Sequence, residues 1–254
     1  MIAQPYHDRD AVGKPAPLAN NAPAPLDGPL IRQGGHAPAL SELARNYMRT
    51  LLDGDRRAAS ALVLEAADRG MPVSQVYLDV LQPVQREVGR LWEANIISVT
   101  MEHFCTAATQ FVMAQLFPSI VTNNKNGLSM VGACVGDDLH VIGINMVCDF
   151  FEMKSWETHH IGYYKSDETL FKTLYERNAD ILCLSVTMFH NLSQAKALIQ
   201  EVTERFPKTK VLAGGLAFLN DPKLAQRIGA HGWARDALGA VELATSLFRS
   251  AQHG

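Results

Sequence analysis

The chain has 254 residues, 47% of them hydrophobic and 19% charged, with a formal net charge of -3. That is the balance of an ordinary soluble globular protein with room for one large or two modest cores, and it argues against non-specific nucleic-acid binding as the main activity. No apolar run reaches transmembrane length, and the first residues lack the apolar stretch of a signal peptide, so the expected setting is the cytosol with no membrane partner. Four cysteines (Cys105, Cys134, Cys148 and Cys183) show no C-x-x-C spacing and read as reduced thiols.

In chain order, residues 1–37 hold Pro5, Pro15, Pro17, Pro23, Pro25 and Pro29 among Ala, Asn and Gly. Such a segment buries too little apolar area to offset its ordering entropy, and it is expected to be a flexible arm, either a plain tail or a partner-binding segment. Residues 38–122 read as a helical bundle. Leu40, Leu43, Tyr47, Leu51 and Leu52 share one helical face, and Asp53-Gly54-Asp55 ends that helix before a second from Arg56 to Asp68. Pro72 suits a first helical turn ahead of Val76, Tyr77, Val80 and Leu81, and the same spacing continues through Val84, Val88, Leu91 and Trp92. A last helix is expected from about Ser98 to Phe117, and the polar stretch 118–128 reads as a linker.

From residue 128 to 254, strands alternate with helices. Strands are expected near 129–135, 156–161, 180–186, 209–213 and 231–235, and five such units predict a doubly wound, flavodoxin-like parallel sheet. The first strand ends in Asp138-x-His140-x-x-Gly143. A histidine there stands where open sheets bind ligands, and a carboxylate two residues earlier can hold one ring nitrogen and leave the other for a metal. By itself this pattern also fits a hydrogen-bonded loop histidine. Two further strands end in Ser185-x-Thr187 and Gly214-Gly215.

The ordered set Asp-x-His-x-x-Gly, Ser-x-Thr, Gly-Gly resembles the cobalamin-binding domain of methionine synthase, corrinoid methyl carriers, mutases and cobalamin light sensors. The resemblance implies His140 as the lower axial cobalt ligand with Asp138 behind it. It also implies cofactor contacts at Leu139, Val141, Ile142, Gly143, Ser185, Thr187, Gly214 and Gly215. In the bundle, nine residues separate Trp92 from Glu102-His103, with Val99 among them. Read bottom-up, these are a core tryptophan and two solvated residues at a helix start. The spacing also resembles the helical cap of CarH-type cobalamin photoreceptors, which implies that Trp92, Val99, Glu102 and His103 cover the upper face of adenosylcobalamin. The chain departs from those photoreceptors by having Glu93, not histidine, after the tryptophan, and by offering no helix-turn-helix ahead of the bundle.

The resemblance therefore implies a light-responsive regulator of the antirepressor (AerR or PpaA) or stand-alone kind. Its partner would be a transcriptional repressor, without direct DNA binding, as a monomer or homodimer, and some such photoreceptors hold a bilin as second chromophore. The rivals are a corrinoid methyl carrier of a methyltransferase system and a cobalamin store. His159, His160 and His190 read as structural, with His190 near the cofactor edge.

Overall fold

The computed structural model describes residues 40–221 and 223–251, and the proline-rich arm expected at residues 1–37 lies outside them. Residues 42–116 form helices only. Helix α1 (Glu42–Leu52) starts where the Ser41 side chain accepts the Ala44 N–H at 3.2 Å, and α2 (Arg56–Asp68) where Asp55 accepts from Ala58 at 2.9 Å. Each cap satisfies an amide that the helix start would otherwise strand, a gain of about 1 kcal/mol. On the α1 face expected to be apolar, Tyr47 and Leu51 are fully buried, whereas Leu43 and Leu52 are only partly so.

The third predicted helix is interrupted. It runs as α3 (Val73–Gln75), a π-helical segment Val76–Leu81, and α4 (Gln82–Glu93). Pro83 explains the wide turn, because proline has no N–H for the carbonyl of residue 79 and its ring crowds that position. The segment buries four of its five apolar residues, Val76, Tyr77, Val80 and Leu81, and Leu78 is partly buried. Helix α5 (Val99–Leu116) is capped by Ser98, whose side chain accepts the Met101 N–H.

The remainder alternates: β1 (Ser129–Cys134), α6 (Ile142–Met153), β2 (Glu157–Gly162), α7 (Asp167–Glu176), β3 (Ile181–Ser185), α8 (Leu192–Arg205), β4 (Lys210–Gly214), α9 (Lys223–Arg227), β5 (Gly232–Trp233) and α10 (Ala237–Ala251). The strands make one parallel sheet in the order β2-β1-β3-β4-β5. This is a helical cap followed by a five-stranded Rossmann-like domain. β1 and β3 are buried along their whole length, as strands covered by helices on both faces must be. One face packs on α7, α8 and α9 through Leu170, Phe171, Leu174, Leu198, Ile199 and Val202. The other packs on α6 and α10, where Phe151 and Phe248 meet the Trp156 ring edge-on at 5.0 and 5.9 Å. Gly132 belongs to that face, and a Cβ there would lie 2.6 Å from Cys148 Sγ.

Because β2 and β3 lie on opposite sides of β1, the strand order reverses at β1/β3, and the crevice lies outside their carboxyl ends. The bundle is tied to this domain by the Tyr77 hydroxyl, which donates to Asp149 Oδ2 at 2.7 Å, and by Arg86, which donates to the Arg235 carbonyl at 3.4 Å. No helix among the described residues is long and apolar enough to cross a membrane.

Candidate functional site

The loop after β1 turns at Gly136, which has φ of 74°. Two residues on, the Asp138 side chain is fully buried, and hydrogen bonds tie it down. Oδ1 faces His140 Nδ1 at 2.6 Å and accepts the His140 N–H at 2.9 Å, while Oδ2 accepts the Thr187 N–H at 3.0 Å. Burial pushes the carboxyl upward in pKa, but the hydrogen bonds from His140 and Thr187 outweigh it and hold it at about 2. The Asp138 hydrogen bond in turn raises His140, against the opposing effect of burial. With Nδ1 engaged, the ring leaves Nε2 pointing away from Asp138, and half of the side chain is exposed. A carboxylate thus fixes both tautomer and ring orientation, the arrangement found behind metal-ligating histidines.

Thr187 reaches this pair through its backbone N–H, and its hydroxyl also hydrogen-bonds the Asp138 carboxylate. Ser185 ends β3 in register with Cys134 of β1 and Gly214 of β4, so the three stand side by side at the carboxyl edge. Gly143 opens α6, and a Cβ there would meet nothing within 4 Å, so the chain's own packing does not require glycine at that place. Gly215 differs: its φ is 104°, and a Cβ would sit 2.4 Å from the Val186 carbonyl. Strand packing alone demands that glycine. A Cβ on Gly214 would come within 3.3 Å of the Ala234 carbonyl. Leu139, Met188, Phe189 and Leu216 are exposed around the same edge, a run of apolar surface that a large ligand would cover. Val141 and Ile142, at the entry to α6, are half-buried.

In the cap, Trp92 is 40% exposed at the end of α4, Ile96 is 49% exposed in the turn that follows, and Val99 is 47% exposed at the start of α5. Glu102 Oε2 faces His103 Nδ1 at 2.6 Å, and Glu102 Oε1 accepts from the Thr106 hydroxyl at 2.9 Å. The negative charge of Glu102 acts on His140, which places this part of α5 toward the loop after β1. Sequence reading missed what stands behind Glu102, a line of polar side chains through Thr106, Gln85 and Thr109 to Tyr47. Its one signal was threonine on the buried side of an apolar helix. His190 lies 4.0 Å from Asp137 in a polar crevice with Tyr163 and Lys165. His159 pairs with Glu157 on the edge strand β2.

Among the described residues no group of three His, Cys, Asp or Glu could hold a bare metal ion. A single oriented imidazole suits a metal that a macrocycle already holds, and open space at Gly143 beside an exposed apolar rim suits the macrocycle. The comparisons with known proteins agree. Residues 128–242 match the B12 binding domain family, and residues 43–117 match a second B12 binding domain family. The two domains, cap and corrinoid domain, make this a cobalamin-binding protein, and its cofactor is a cobalamin or related corrinoid. A corrinoid protein of Desulfitobacterium hafniense is 26% identical over 217 residues, covering 82% of this chain and 98% of that one. The dimethylamine corrinoid protein of Methanosarcina barkeri is 27% identical over 190 residues, covering 73% and 88%. The structure of the Methanosarcina barkeri monomethylamine corrinoid protein shares the fold, with a TM-score of 0.70 at 20% identity, covering 82% and 98%. These relatives are corrinoid proteins, not the light sensors that the cap spacing suggests.

Proposed function

We infer that this chain is a corrinoid methyl carrier, a subunit that takes a methyl group from one partner methyltransferase and yields it to another. The observation that supports this best is the oriented Asp138–His140 pair, in a chain whose cap leaves Trp92, Ile96 and Val99 each at least 40% exposed. A carrier must present its upper face to partners, and a cap that leaves this face open allows that. The match to a corrinoid protein over 98% of that protein's length supports the same reading.

When bound, the corrinoid supplies a cobalt centre that accepts and releases a methyl group. His140 would hold the lower face through Nε2, oriented by Asp138 and the Thr187 N–H. Gly143 leaves room for the cofactor's displaced tail, which would pass Ser185 toward Gly214 and Gly215. Trp92 and Val99 would exclude water from the upper face, with Glu102 and His103 at its margin.

A second reading rests on one specific observation. The indole of Trp92 together with a hydrogen-bonded Glu102–His103 pair is more elaborate than a simple cover requires, and it suits a light-sensing regulator that acts on a repressor. Purified protein loaded with methylcobalamin separates the two. The carrier gives methyl transfer in the dark once a methyltransferase and its acceptor are added. The sensor gives no transfer, and green light alone changes both its spectrum and its elution volume.

A further inference from the structure

The core of a helical bundle is most simply filled with apolar side chains, because each buried polar group costs free energy unless it finds a partner. This cap departs from that rule along one line. Tyr47 of α1 and Thr109 of α5 are both fully buried, and their hydroxyls meet at 2.8 Å. Gln85 of α4 donates from Nε2 to Thr109 Oγ1 at 2.6 Å, and Thr109 donates to the Cys105 carbonyl at 2.9 Å. On the other side, the Thr106 hydroxyl stands 3.1 Å from Gln85 Oε1 and 2.9 Å from Glu102 Oε1. The line ends at His103, whose Nδ1 faces Glu102 Oε2 at 2.6 Å and whose side chain is 74% exposed. Three helices thus spend core positions on a connected set of polar groups that surfaces at one carboxylate.

We propose that Thr106 is a positioning residue of the corrinoid site, its hydroxyl fixing the Glu102 carboxylate and through it the His103 ring at the margin of the upper face. Both carboxylate oxygens are engaged, so Glu102 has one rotamer that satisfies Thr106 and His103 together. His103 is then held as His140 is held: a carboxylate oxygen 2.6 Å from Nδ1, with Nε2 turned outward. An imidazole left free at an exposed helix start would sample several rotamers, whereas a pinned one obstructs entry to the upper face. This rests on the corrinoid lying over His140, but not on whether the protein carries methyl groups or senses light.

The test is the rate at which exogenous imidazole and, separately, cyanide replace the upper ligand in the full chain loaded with aquocobalamin, followed by absorption. Thr106→Val keeps the shape and removes the hydroxyl, and Thr106→Ser keeps the hydroxyl and removes the methyl group. Thr106→Val should accelerate replacement roughly tenfold, the usual scale for loss of a group that orients a ligand, with the lower-face imidazole signature intact. Thr106→Ser should behave as wild type. If Thr106→Val fails to hold cofactor, Thr106→Ala carries the same expectation. Equal rates in wild type and Thr106→Val, or a Thr106→Ser variant as fast as Thr106→Val, would overturn the proposal while leaving the cofactor site standing. A wild type without any protein imidazole on cobalt would overturn both.

Discussion

At the scale of single residues, the Asp138–His140 pair was readable because its geometry is local: two residues on one loop can hydrogen-bond whatever the rest of the fold does. The Thr187 contact was not readable. It joins loops 49 residues apart in the chain, and so distant a pairing leaves no mark on the local pattern. The pair carries the first prediction. Asp138→Ala should weaken cobalamin binding by roughly 10- to 100-fold, and His140→Ala should weaken it further and abolish protein imidazole ligation. Titration of the free protein with hydroxocobalamin measures both. Gly132 carries the second. Gly132→Val forces a side chain into Cys148, and overpacking of that kind costs about 1–3 kcal/mol. Chemical denaturation should show that loss, whereas Gly143→Ala, with open space around it, should leave the stability of the cofactor-free protein nearly unchanged.

At the scale of elements, all five strands lie within two residues of where alternation and turn signals put them, because buried parallel strands are continuous apolar runs. The helices of the bundle were readable too, except that α1 starts at Glu42, beyond Leu40, and except between Val73 and Glu93. Apolar spacing marks a buried face but does not distinguish an α-turn from a π-turn, and Pro83 was the overlooked signal. That π segment carries Tyr77, which reaches Asp149 on α6. Burial raises the Asp149 carboxyl, the Tyr77 hydroxyl pulls it back, and Glu152 raises it again, leaving it at about 6 against an ordinary 3.8. The native state therefore keeps a proton that the unfolded chain has released between those two values. This contribution to stability is present below about pH 4 and is lost as pH rises through 6. Asp149→Asn should flatten that part of the stability profile, read as the difference between variant and wild-type denaturation midpoints from pH 4 to 7. Identical profiles would contradict the buried carboxyl.

At the scale of the whole molecule, alternation predicted a doubly wound sheet but not its strand order, and nothing local encodes a hydrogen bond between residues 77 and 149. Cap placement is such a long-range fact. So is the polar line from Tyr47 to His103, which joins three helices. The cap also carries a prediction of its own: Trp92→Ala should keep cobalamin on His140 yet speed replacement of the upper ligand, because the indole proposed to cover that face is gone. An unchanged rate would place Trp92 outside the site. The claim on which all of this rests is that His140 supplies the cobalt's lower nitrogen. Electron paramagnetic resonance of the chain loaded with cob(II)alamin tests it most directly, using unlabelled protein and protein carrying 15N-histidine. Isotope labelling of the protein should change the nitrogen splitting in the wild type, and His140→Ala should show no coupling to protein nitrogen. A splitting indifferent to the label, or a label-sensitive splitting that survives His140→Ala, would contradict the assignment.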